Sequence, residues 1–302
     1  MKKFLTLLLA CVLVFSLAAC GKTTNDNKDS DTESQSVADT ADTVDTADTA
    51  DTADTADTAD TAADTADTAA DTADTTDIGD ATDVKSEGVM TYAEYVAAEL
   101  DAEVVIEAYV QAKQGWWDNK ATVYAQDKDG AYFLYDMACS EEDYALLEVG
   151  TKIKVTGYKA EWSGEIEIID ATFEILEGNY VAEALDVTEL LGTDELINHQ
   201  NQFVTFKGMT VEASKDADGN DVAFLYNWDG SGAEGTDSDL YFNVSYNGQT
   251  YSFVIEYYLC GADTDVYKAV QNLSIGDTID LEGFLYWYNG VNPHITAISA
   301  AE

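Results

Sequence analysis

Leu147-Glu148-Val149-Gly150-Thr151-Lys152-Ile153-Lys154-Val155-Thr156-Gly157 has a counterpart 126 residues later, Leu273-Ser274-Ile275-Gly276-Asp277-Thr278-Ile279-Asp280-Leu281-Glu282-Gly283. The match continues without a gap, carrying Gly164, Ile169 and Ala171 onto Gly290, Ile295 and Ala297. Between the first two glycines of each copy, branched apolar residues alternate with polar ones, the period of a strand with one buried face. A long match at one constant offset is read as a small β module present twice.

Working outward, the first module spans residues 90–178. Thr91 and Glu94 have capping-box spacing, which predicts a short helix through Leu100. Val104, Ile106, Ala108 and Val110 alternate as a first strand, and Gly115-Trp116-Trp117-Asp118-Asn119 breaks the pattern as a loop. Strands over 121–126 and 131–137 flank Asp127-Lys128-Asp129-Gly130, read as a hairpin turn of the Asp-Gly kind. Ser140 precedes Glu141, Glu142 and Asp143, an N-cap with acids in the first helical turn. Strands over 152–158 and 165–175 follow, joined by the turn at Glu161-Trp162-Ser163-Gly164.

Three strands, a helix and two strands is the order of a five-stranded Greek-key OB barrel. With the Gly150–Gly157 strand, this order resembles the bacterial OB-fold family in the tandem form found in surface lipoproteins of Gram-positive gut bacteria. The resemblance implies a binding module; such barrels take oligonucleotides, oligosaccharides or proteins.

The second module spans residues 179–302. Residues 181–200 read as two short helical pieces broken near Gly192, and Phe203–Met209 restarts the barrel at an offset of 100 from Glu103–Tyr109. About 26 extra residues must then precede the second helix, and Asp216–Thr250 accommodates them. Strands from Tyr241 and from Thr250 flank an Asn247-Gly248 turn. A helix starts near Asp263, and strands over 278–286 and 294–298 close the barrel. The expected fold is all-β with short helices: two tandem five-stranded OB-like Greek-key barrels after a disordered N-terminal tether.

That tether follows a targeting signal. Lys2 and Lys3 precede an apolar run over 4–17 that is short for a membrane span. Leu17-Ala18-Ala19-Cys20-Gly21 looks like a bacterial lipobox. It implies a signal peptide over 1–19, lipidation of Cys20 and a place on the outer face of the cell membrane. Residues 20–89 are mostly an Ala-Asp-Thr tract with no recurring large apolar side chain, so nothing offsets the entropy of ordering them. A neutral coil of that length spans about 45 Å, and charge repulsion extends it further.

The 302 residues carry a net charge of −45, and all 14 basic side chains are lysine. Phosphate backbones are bound mainly by Lys and Arg, so the composition argues against a general nucleic-acid binder. Acidity that simply keeps a secreted protein soluble is the plainer reading.

Aromatic residues are the best lead to a site. Trp116 and Trp117 fall in the first inter-strand loop and Trp162 in the last, the two loops that flank an OB ligand face. In the second module Trp228, Tyr286, Trp287 and Tyr288 occupy comparable places. Flat rings stack on sugars or on bases, or else pack the barrel ends. Asp216, Asp218, Asn220 and Asp221 alternate oxygen ligands as a calcium loop does, but Gly219 comes too early for an EF-hand and a hairpin turn is the simpler reading. The Gly-rich stretch 229–239 is similar. Cys139 and Cys260 occupy equivalent positions, as small buried residues or as an inter-module disulfide. His199 and His294 join no catalytic motif. The expected function is therefore a membrane-anchored, non-catalytic binding protein for a glycan or a protein, with no cofactor unless Ca2+ sits in the acidic loop. Single-stranded nucleic acid is the alternative ligand.

Overall fold

The computed structural model describes residues 85–301. The signal peptide expected over 1–19, the lipidation expected at Cys20 and the expected tether up to residue 84 lie outside the described residues.

Helix α1 (Tyr92–Ala97) opens the first module under the expected capping box, with Thr91 and Glu94 bonding reciprocally. It ends before Leu100 because Ala98 is already extended, at φ −61° and ψ 140°. Strands β1 (Glu103–Lys113), β2 (Lys120–Gln126) and β3 (Ala131–Ala138) follow, then α2 (Glu141–Leu146), β4 (Thr151–Trp162) and β5 (Glu165–Asn179). The five strands form a closed barrel in the order β1-β2-β3-β5-β4. Within it the β3–β5 pairing is parallel and the others are antiparallel. This is the OB arrangement that element order predicted.

Two short 3-10 turns (Thr188–Leu190 and Leu196–His199) and strand β6 (Leu185–Asp186) lead into β7 (Phe203–Glu212). The small strands β8 (Ser214–Lys215), β9 (Asp221–Val222) and β10 (Leu225–Tyr226) come next. Then follow β11 (Leu240–Tyr246), β12 (Gln249–Ile255), α3 (Asp265–Gln271), β13 (Thr278–Phe284) and β14 (His294–Ala300). Here β7 pairs with both β11 and β13, while β14 joins β12 to β13, so a second ring of five strands closes with the topology of the first. Most of the extra length lies between β7 and β11, where the first barrel needs only residues 114–119.

The glycines of the repeated stretch explain why it recurs. Gly150 and Gly276 sit at φ +90° and +92°, and their amides donate to the carbonyls of Val110 and Val211, at 2.7 and 2.8 Å. That left-handed turn favours glycine. Gly157 and Gly283 lie at β-bulges where the strands crowd together. A Cβ on Gly157 would stand 2.7 Å from Ile168, and one on Gly283 would stand 2.2 Å from the His294 carbonyl oxygen. Close backbone approach of this kind excludes any side chain.

Two hairpins follow the expected turn chemistry. Ser163-Gly164 and Asn247-Gly248 both have φ above zero at each position, the primed geometry that matches strand twist. The Asp127–Gly130 connection is instead a four-residue loop, with Gln126 paired to Ala131. The Asp127 carboxylate organises it by accepting the amides of Asp129 (2.7 Å) and Gly130 (2.9 Å). A buried ion pair at 2.6 Å ties that carboxylate to Lys85, so the chain entering the first barrel is fixed at its first described residue.

Each barrel has its own core. Val104, Ile106, Val123, Leu134, Ile153 and Ile168 fill the first; Phe206, Phe242, Phe253, Tyr267, Leu281 and Ile295 fill the second. A third cluster joins them. Tyr124 and Phe133, on the outer face of β2 and β3, pack against Phe284 of β13, with Phe203 and Tyr286 alongside. The Tyr124 and Phe284 rings stack at 4.3 Å with 12° between planes.

Candidate binding groove

Tyr124 of β2 and Phe133 and Tyr135 of β3 face the outside of the first barrel, while Val123 and Leu134 point into its core. That face is the usual ligand face of an OB barrel. Here the second barrel covers half of it, through Tyr124 and Phe133. Polar contacts lock the junction. Gln126 accepts the Phe203 amide at 2.8 Å, Gln200 donates to the Gly164 carbonyl at 2.9 Å, and the Asn289 amide donates to the Ser163 carbonyl at 2.7 Å. The Gly115 amide donates across to the Tyr258 carbonyl at 2.8 Å.

The uncovered half opens as a groove of about 890 Å3 between the barrels. Phe133, Tyr135 and Trp162 line it from the first barrel. Trp228, Tyr241, Tyr286 and Tyr288 line it from the second, with Gln114, Ser252, Glu256, Asn289 and Asn292 as its polar groups. Trp162 is 60% exposed at the tip of the β4–β5 hairpin, and Trp228 is 75% exposed in the turn after β10. Rings this exposed contribute little to folding and leave their faces free for a ligand. The groove volume falls within the roughly 300–1,000 Å3 of small-molecule sites.

The loop between β13 and β14 forms one wall, shaped by its own backbone. Tyr288 donates to the Gly290 carbonyl at 2.9 Å, Asn292 to that of Tyr286 at 3.0 Å, and the Asn292 side chain to the Ser252 carbonyl at 3.1 Å. Tyr286 lies on His294, with ring centroids 4.2 Å apart. His294 is buried, and burial drives its imidazole down to about 3, so it is neutral at physiological pH.

Glu256 is the groove's acid. Its oxygens accept the amides of Leu259 (2.7 Å) and Tyr258 (3.2 Å), yet burial, then the nearby Asp239 charge, raises its carboxyl to about 7. Burial, then Asp239 and Glu256, pushes the Tyr241 hydroxyl up to about 12. Among the described residues, the lining includes no lysine.

Behind the groove, Glu165 is wholly buried at the junction. One of its oxygens accepts from the Trp287 amide (2.9 Å) and from Gln200 (3.1 Å). The other oxygen and the Asn201 side-chain carbonyl have no donor among the described residues. Burial raises the Glu165 carboxyl to about 8 against the pull of its Asn201, Trp287 and Gln200 neighbours. A carboxyl raised this far carries a proton of its own at neutral pH, which turns one of its oxygens from acceptor to donor.

Trp162, Trp228 and Tyr286, singled out in the sequence, therefore converge on one groove. Trp117 lines a smaller adjoining recess of about 330 Å3 that shares Gln114 and Tyr135 with it. Trp116 instead donates its indole N–H to the Cys139 carbonyl at 3.0 Å. Trp287 packs at the barrel junction, where its ring would lie 3.0 Å from a Cβ on Gly164. Tyr135, Tyr241 and Glu256 carry no distinguishing motif in the sequence. The outward register of β3 and β11 was the available signal for the two tyrosines; Glu256 stands just past the end of β12, where nothing local marks it.

Asp216 turns its carboxylate onto its own loop, accepting the amides of Asn220 (2.8 Å) and Asp218 (3.0 Å) and the Asn220 side chain (3.0 Å). Asp221 pairs with Lys215 at 2.7 Å. This is a hairpin turn between β8 and β9, and among the described residues no three His, Cys, Asp or Glu side chains are grouped to hold a metal. Loop 229–239 is likewise closed by internal bonds, such as Asp229 accepting the Ser231 amide at 3.0 Å. Cys139 and Cys260 are free thiols, buried at equivalent places, and burial raises both to about 11.

No family model and no curated protein matches the chain. Among solved structures it is similar to the Ifi202 HINa domain in complex with double-stranded DNA, at 11% identity over 67% of this chain and 100% of that one, with a TM-score of 0.30. A murine DNA-binding protein bound to double-stranded DNA is similar at 10% identity over 66% of this chain and 96% of that one, with a TM-score of 0.32. A Replication Protein A heterotrimer bound to single-stranded DNA is similar at 13% identity over 66% of this chain and 49% of that one, with a TM-score of 0.26. Likeness of this degree carries no argument about what the present chain binds.

Proposed function

We propose that this chain is a non-catalytic binding protein that holds an oligosaccharide in the groove between its barrels. One observation carries the reading: Trp162 and Trp228, one from each barrel, stand exposed over a groove supplied with amide and hydroxyl groups. Aromatic faces stack on the apolar faces of sugar rings, and side-chain amides bond to sugar hydroxyls. The lipobox at Cys20 and the acidic tether complete the reading: a lipid-anchored protein that carries its barrels away from the outer face of the membrane.

Single-stranded nucleic acid is the second reading. The same rings can stack bases. It is also the reading closest to the DNA-bound structures above, though their likeness carries no argument. It must contend with a groove lined by Glu256 and, among the described residues, by no lysine.

The test is binding of the full chain to an array of oligosaccharides and single-stranded oligonucleotides at two salt concentrations. Signal on sugars that disappears in Trp162→Ala and Trp228→Ala supports the first reading. Signal on oligonucleotides that falls steeply with salt replaces it with the second. A blank array, with a partner protein captured only by the unaltered groove, would replace both with protein binding.

A further inference from the structure

We propose that the saccharide bound in this groove carries a positively charged nitrogen, as a free amino sugar does. This rests on the glycan reading above and narrows it.

Three features of the groove converge on a cation. The first is the number of aromatic faces: Tyr135, Tyr241, Tyr288, Trp162 and Trp228 surround one space. The face of such a ring is the negative end of its quadrupole and attracts ammonium groups. The second is the carboxyl of Glu256 among those rings, with Asp239 close enough to repel it. The Tyr241 hydroxyl senses both acids, since each makes its ionisation harder. The third is the lack of a competing cation: among the described residues the lining includes no lysine, and its imidazole, His294, is neutral. A neutral sugar would exploit the rings and leave the charge of the acid to its two backbone amides alone. A phosphate would be repelled. An ammonium uses both.

The discriminating pair is a tetramer of glucosamine and a tetramer of N-acetylglucosamine. They share backbone and length and differ in charge. Binding of each to the full chain is measured by calorimetry in about 0.15 M salt, where charges beyond about 8 Å are screened. The amino form should bind about tenfold tighter, the scale of one or two desolvated cation–π contacts. Glu256→Gln should bring the ratio of the two affinities close to one; the substituted side chain keeps a carbonyl oxygen for the shorter Leu259 bond and gives up the longer one to Tyr258. Trp162→Ala and Trp228→Ala, on exposed turns, should weaken both tetramers. Asp216→Asn with Asp218→Asn, in the remote β8–β9 hairpin, should change neither.

Equal binding of the two tetramers overturns the inference and leaves the glycan reading standing. A preference that survives Glu256→Gln, or that the hairpin double variant removes, also overturns it, because overall charge would then be its source. Binding of neither tetramer overturns the inference; whether the glycan reading falls with it is decided by the sugar array.

Discussion

The Tyr124 hydroxyl and the His294 ring nitrogen Nδ1 lie 2.9 Å apart, 170 residues apart in sequence and one on each barrel. Both side chains are buried, so this hydrogen bond sits in the middle of the junction rather than at its rim. Tyr124→Phe keeps the ring stack on Phe284 but leaves the imidazole nitrogen without a partner. It should cost about 1–3 kcal/mol, the penalty for an unsatisfied buried polar group. Urea unfolding compared with the parent chain measures it; a change under about 0.5 kcal/mol would exclude a structural role for the bond.

Acid should open the same junction. His294 is depressed from an ordinary value of 6.5 to about 3. The unfolded chain takes up that proton first, so the contribution is full above pH 6.5 and is lost as pH falls toward 3. Thermal unfolding between pH 7 and pH 4 should show the loss, and a variant with a neutral side chain at 294 should show less of it.

Alkali acts through Glu165 with the opposite sign. Its folded value of about 8 stands above the ordinary 4.5, so the folded chain holds the extra proton. Stability from this group is full below pH 4.5 and declines as pH rises through 8. Glu165→Gln keeps the size and cannot ionise. It should be more stable than the parent at pH 9 and close to it at pH 5. Equal curves at pH 9 would show that the buried carboxyl is not protonated at neutral pH.

Binding of an amino sugar should rise above pH 6 as Glu256 ionises and fall again once the ligand amine loses its proton. Glu256 ionises near 7, and a bound ammonium favours its charged form. The ligand amine must remain protonated over the same range, which limits the upper end. A flat profile for the glucosamine tetramer, with the parent chain folded throughout, would place the cation away from Glu256.

Gly283→Ala should be the most damaging alanine substitution among the described glycines, since its Cβ would overlap the His294 carbonyl oxygen and the Ile295 backbone. A loss of about 3 kcal/mol is expected, the upper end of what core overpacking typically costs. Gly208→Ala, where a Cβ meets nothing within 4 Å, should cost less, the strain of φ +63° alone. Comparable losses at the two sites would remove the close approach as the reason for Gly283.

Much of the fold is legible in the sequence because its signals are local. The capping residues Thr91 and Ser140, the Asn247-Gly248 turn and the alternating strands each rest on neighbours within a few positions. Ring closure follows from element order. The Asp127 loop departs from the expected turn because its length depends on where β2 and β3 pair, which Asp-Gly spacing does not specify. The groove is half legible. Exposed tryptophans announce themselves by type, but Trp116 and Trp287 look the same in sequence and are taken up by packing. Glu256 is invisible among so many acids, since its position beside the rings is set by the docking of two barrels.

That docking joins unlike surfaces. The residue after the repeated glycine is Tyr158 in the first copy and Phe284 in the second; Tyr158 is 44% exposed, while Phe284 is buried against Tyr124 of the other barrel. One copy offers its β2–β3 face and the other the ends of β13 and β7 at Phe284 and Phe203, so the contact is heterologous, of the kind that extends head to tail instead of closing on itself. The likeness of the two stretches in sequence is therefore not matched by a symmetric contact: the two barrels play different parts in one interface.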